Sequence, residues 1–244
     1  MSDAQFLAQA AAPLVEIIRN IKPDQLSSPT PCAEYDVGKL VNHLLFWGPS
    51  LEGAARKESV PPPAGAEADV DMIKGDWGAA LEAQNNRTVA AWSEPGAWEG
   101  TTYMGGPTEL QASLVGGMVV GELVVHGWDL AQATGRHPAL DDDLLVYLHD
   151  EVAKSAEQGR EMGVYGPKVP VPASSSTLDR VLGLTGRNPA WERSSSYSGP
   201  VALGDAQPVD NPTHGSAGRR RRDGGAARTA VPGPQALPVP GVQR

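Results

Sequence analysis

The chain has a single cysteine, Cys32, among its 244 residues, so no intramolecular disulfide can form and nothing in it suits an oxidising compartment. A cytoplasmic protein is the expectation. Positive charge is also scarce. Against 29 Asp and Glu there are 20 Lys and Arg, a formal net charge of -9, which argues against nucleic acid as a partner because a phosphate-gripping surface needs the opposite sign. The opening stretch, MSDAQFLAQAAAPLVEIIRN, carries an early acid and mixes polar with apolar residues, unlike the basic start and apolar run of a signal peptide. No segment reaches the roughly 18 uninterrupted apolar residues of a membrane span. Strict alternation of apolar and polar residues is rare as well, which excludes a substantial β-sheet.

What the sequence does have is helical periodicity. Phe6, Leu7, Ala10, Leu14, Ile17, Ile18 and Ile21 recur every three or four residues and predict an amphipathic helix from about Asp3 to Ile21. The prolines of SSPTPC mark an extended loop, and Asp36 offers an N-cap to a second helix carrying Val37, Leu40, Val41, Leu44, Trp47 and Leu51. A third helix is expected over 69–92 through Met72, Ile73, Trp77, Leu81 and Val89, although Gly75 and Gly78 weaken its first half. After a glycine-rich loop over 93–106, the most apolar helix starts near Pro107, which a first turn tolerates, and runs to Thr134 with Gly135 as its C-cap. A fifth covers about 141–162, and a short sixth is TLDRVLGLTG. The predicted class is all-α, a bundle of antiparallel helices with additional short ones.

Composition changes after Trp191. The last 53 residues are crowded with Ser, Gly, Pro and Arg, including Arg219 to Arg222, and predict a disordered tail over 192–244 beside a bundle over 1–191. That tail holds seven arginines against four acidic residues. Charge runs of this kind are usually solvated, and no function is assigned to it.

Within MVVGELVVHGWDL, Glu122 is an isolated charge in apolar and glycine sequence, and His126 follows it by four, so both lie on one helix face with Asp129 one turn further on. Burying such a carboxylate costs several kcal/mol unless a metal cation or an arginine compensates it. His43, in LVNHLLFW, is a polar group among apolar ones on the second helix, which an antiparallel bundle can bring opposite the fourth. His43, Glu122 and His126 match the nitrogen and oxygen preference of zinc and leave a fourth position open for water or a thiolate. From spacing alone, a Glu-x-x-x-His pair is more often an ion pair than a metal site, and Asp129 reads equally as a second-layer acceptor that orients a histidine or as a solvated carboxylate. Cys32 has no histidine near it in sequence and reads as a small buried hydrophobe. Surface positions are expected for His137, His149 and His214. Trp47 and Trp128 read first as core packing, and second as walls of a pocket.

Three blocks, SSPTPCAEYDVGKLVNHLL, GELVVHGWDLAQATGR and LDRVLGLTGRNPAW, resemble in their order the actinobacterial DinB-like family that includes mycothiol-dependent maleylpyruvate isomerase. The resemblance covers about 3–191, with Tyr35 standing where the family often has tryptophan. It implies a DinB-like four-helix bundle binding zinc or another divalent metal through His43, Glu122 and His126. It also implies a low-molecular-weight thiol, mycothiol, as co-substrate in isomerisation or transfer on a small electrophile. A metal-dependent hydrolase and a non-catalytic metal-binding bundle are the alternatives. A homodimer through a bundle face is allowed by the sequence and not required by it.

Overall fold

In the computed structural model, residues 1–161 and 163–193 are described. Their helices are α1 (Asp3–Arg19), α2 (Val37–Ala55), α3 (Trp77–Trp92), α4 (Ala112–Thr134), α5 (Asp142–Glu161) and α6 (Thr177–Leu184). The fold is all-α and DinB-like, as the periodicity and the resemblance anticipate. The expected tail lies, from residue 194 onward, outside the described residues.

The apolar stripes dictate the packing. In α1, Leu7, Leu14 and Ile18 are fully buried; in α2, Val37, Leu40 and Val41; in α4, Val115, Val119 and Val120. Each such side chain contributes about 1.5–3 kcal/mol by leaving water. α1 packs against both α3 and α4, and α2 against the same two, which closes a four-helix ring in the order α1, α3, α2, α4. The functional consequence is that α2 and α4 are neighbours. α5 buries Leu144, Leu148, Val152 and Ala156, spaced by four, against the outside of α4, and α6 packs on α5. Among the described residues α4 is the one helix long and apolar enough to cross a membrane, but 83% of its most apolar window is buried inside the protein, so the ring accounts for its composition.

Two caps fall where the residues put them. Asp36 accepts a hydrogen bond at 2.7 Å from the backbone N–H of Lys39, and Gly135 ends α4 in the left-handed conformation, at φ 72°. Two expectations need correction. The third helix starts at Trp77, not near 69: Gly75 adopts φ 57° and Asp76 caps the helix, and the chain before it forms no α-helix, only a single 3-10 turn, Glu67–Asp69. The fourth helix starts at Ala112, not near Pro107, because a small antiparallel hairpin, β1 (Thr101–Tyr103) with β2 (Glu109–Gln111), occupies that stretch. Strands of three residues are too short to display an alternation.

Candidate metal centre

α4 carries Glu122 and His126 one turn apart, and α2 carries His43 at the edge of its buried stripe, on the side toward α4. The three sequence-predicted residues meet. His43 Nε2 lies 2.8 Å from Glu122 Oε1, and His126 Nε2 lies 3.5 Å from the same oxygen. One donor atom from each residue falls within 4.8 Å of the others. Ligands about 2.0–2.2 Å from a tetrahedral zinc sit about 3.3–3.6 Å apart, so the donor set fits a small divalent cation once the spacings even out. The two imidazole rings are 5.1 Å apart, edge to face.

Behind each imidazole stands a carboxylate. His43 Nδ1 is 2.9 Å from Glu67 Oε1, and His126 Nδ1 is 3.1 Å from Asp129 Oδ2. Both rings therefore turn Nε2 inward and engage Nδ1 outward, the arrangement that fixes tautomer and orientation in metal-ligating histidines. Asp129 is fully buried, so of its two readings the solvated carboxylate does not hold. Its Oδ2 also accepts from Arg187, at 3.0 Å from Nη2 and 3.3 Å from Nε. Glu67 is held by the indole N–H of Trp47 at 2.6 Å and the hydroxyl of Tyr35 at 3.3 Å; that hydroxyl also lies 3.2 Å from His43 Nδ1.

The charges are strongly coupled. Burial works against a charged His43 ring, but Glu122 and Glu67 outweigh it and raise its pKa to about 10. For Glu122 burial works against the carboxylate, yet His126, His43 and Arg187 pull its pKa down to about 2. These shifts favour an ion pair between the His43 ring and the Glu122 and Glu67 carboxylates that face its two nitrogens.

Glu67 and Arg187 join the centre without a signal in the sequence that points to them. Glu67 leaves no periodic signal in a loop, whereas a buried carboxylate calls for a metal cation or an arginine; Arg187 fills the second role for Asp129 rather than Glu122. Trp47 belongs to the centre through Glu67, while Trp128 lines a crevice with Ala10, Leu14 and Ile17 of α1. Cys32 is half-buried; burial pushes its thiol up, and its ionisation also feels Arg187 and Asp129. His137 is exposed, His149 lies 3.5 Å from Asp150, and His214 is outside the described residues.

Fold and site together define a DinB-like helical bundle with a candidate metal centre between two neighbouring helices. The chain belongs to the mycothiol maleylpyruvate isomerase N-terminal domain family, whose model matches residues 7–131, just over half of its length. Two uncharacterized proteins of Mycobacterium tuberculosis, Rv0738 and MT0763, are each 27% identical to it over 174 residues, covering 70% of this chain and 90% of theirs. Among solved structures, a mutant of mycothiol-dependent maleylpyruvate isomerase superposes with a TM-score of 0.51 at 12% identity, covering 79% of this chain and 83% of that one. At that identity the likeness speaks for the fold alone.

Proposed function

We propose that this chain is a cytoplasmic, divalent-metal-dependent protein, with zinc as the metal, that uses a low-molecular-weight thiol, mycothiol, to isomerise or transfer to a small electrophile. His43, Glu122 and His126 are the proposed ligands, residues 1–191 the functional unit. One observation carries the reading: two histidines present Nε2 to a shared glutamate oxygen while a carboxylate braces each Nδ1. Family membership supports the thiol and the reaction class.

A bound divalent ion would act as a Lewis acid, making a thiol in its open position available as thiolate near neutral pH. The rest falls to the chain. His43 gives up the proton at Nε2 on loading, while Glu67 keeps the one at Nδ1 and so holds the ring's direction. Asp129 does the same for His126. Tyr35, packed 5.2 Å from the His43 ring, limits solvent at that edge.

The test is a panel of small electrophiles offered to the zinc-loaded protein with and without mycothiol. Turnover that requires the thiol and disappears in His126→Ala supports the reading. Thiol-independent hydrolysis would move the assignment to a metal-dependent hydrolase, and zinc binding without turnover of any electrophile would leave a non-catalytic metal-binding bundle.

A further inference from the structure

We propose that Asn42 is a positioning residue of the centre: its carboxamide clamps residues 67–72 as a strap along the His43 side, and release of that strap is the step by which zinc enters and leaves. The ion's passage rests on the function proposed above; the clamp itself does not. Asn42 adjoins His43 on α2, and the strap belongs to the connection over 56–76 that joins α2 to α3.

A single side chain holds both ends of the strap. Asn42 Oδ1 accepts from the backbone N–H of Met72 at 2.8 Å, and Nδ2 donates to the backbone carbonyl of Glu67 at 3.5 Å. These partners dictate which way the carboxamide faces, because only its oxygen can meet an N–H and only its NH2 a carbonyl. From one end of the strap the Glu67 side chain reaches inward to Trp47, Tyr35 and His43, at 2.6, 3.3 and 2.9 Å. None of residues 67–72 is buried, and Met72 is only partly covered by the core, so little apolar area holds the strap down. A neutral hydrogen bond shifts an equilibrium by about two- to tenfold, so a segment fastened by a few of them opens more readily than the helices beside it. The α4 side offers no comparably loose piece, since Asp129 and Arg187 behind His126 are both buried. With the strap in place the His43 side chain is 15% exposed. Lifting it withdraws Glu67 from Nδ1, frees the ring to turn, and opens that edge of the centre to water.

The experiment measures two rates in the zinc-loaded protein: hydrogen exchange at the Met72 amide, and zinc release to excess EDTA. In Asn42→Ala both should rise by the same factor, about tenfold, because both pass through the released strap, while core amides such as that of Leu130 keep their native exchange. Asn42→Asp, which keeps an oxygen for the Met72 N–H, should bring both rates back to within about threefold of native. Faster Met72 exchange with zinc release at the native rate overturns the route, and native Met72 exchange in a folded Asn42→Ala overturns the clamp. Should Asn42→Ala not fold, Trp47→Phe, which removes the indole donor to Glu67 and keeps an aromatic ring, decides by the same two rates. Joint acceleration supports the strap, and unchanged zinc release overturns it. Should the native protein take up no zinc, the proposed function falls and the route with it. Met72 exchange in metal-free Asn42→Ala then judges the clamp, acceleration supporting it and the native rate overturning it.

Discussion

The two histidines of the centre are held by different kinds of structure. His126 sits in the most buried stretch of α4, and its brace is a fully buried aspartate locked by an arginine that is itself 8% exposed. His43 is braced by Glu67, whose side chain is 24% exposed and which stands on a single 3-10 turn in the long connection between α2 and α3. The first half of the centre is tied to packed helices and the second to a loop. Loops open at lower free energy than helix cores, so the His126 side should keep its shape without an ion, while the His43 side adjusts when one enters. Such a division would suit the proposed centre, in which a fourth ligand has to exchange without loss of the other three.

The largest expected difference lies in stability. Asp129→Ala strands the Arg187 charge in the interior and should cost about 3–5 kcal/mol of unfolding free energy, read by denaturant melts. Glu67→Gln, on the looser side, should cost no more than about 1 kcal/mol, because water can reach the amide. Equal losses in the two variants would break the comparison.

Next in size is metal affinity on the His43 side. Glu67→Gln should weaken zinc binding by about tenfold, the lower end of the range for an outer partner, since Tyr35 can still meet Nδ1. A larger loss than in Asp129→Asn, which alters the brace of His126, would invert the assignment of the firm and adjustable halves.

The pH dependence of the chelator-treated protein follows from the two shifted groups. His43, raised to about 10, contributes its full stabilisation below its ordinary 6.5, and loses it as pH climbs through 10. Glu122, lowered to about 2, contributes fully above its ordinary 4.5 and loses that as pH falls toward 2. Melting temperature should therefore peak between pH 4.5 and 6.5 without metal. The extra stability conferred by zinc should grow from the acidic side up to about pH 10, because the ion has to displace the His43 proton. A zinc effect independent of pH over that span would mean that His43 is not displaced.

The smallest effect is expected at Cys32. Its thiol is pushed up by burial, so reaction with a small neutral alkylating reagent at pH 7 should be slower than for a free thiol, and Cys32→Ser should leave zinc affinity unchanged within twofold.

The parts of this molecule that were legible in its sequence are those governed by local periodicity. The apolar stripes of α1 and α2, the apolar length of α4, the Asp36 cap and the Gly135 stop all follow from residues within one element. So does the shared face of Glu122 and His126, and a bundle leaves His43 few other places to point. The rest depends on pairings across the chain. Glu67 reaches His43 from 24 residues away and Arg187 reaches Asp129 from 58, and neither separation leaves a trace in local pattern. The hairpin at Thr101–Gln111 is illegible for a different reason, being too short to alternate, and the late start of α3 turns on the left-handed backbone of Gly75.

The central claim is that His43, Glu122 and His126 hold one divalent ion. Elemental analysis of untagged protein purified without added metal, then after zinc addition and desalting, tests it most directly, with Glu122→Ala carried through in parallel. About one zinc per chain is expected in the native protein after loading and far less in the variant. Equal metal in the two, or none in either after loading, would contradict it and leave Glu122 and His126 as a structural ion pair.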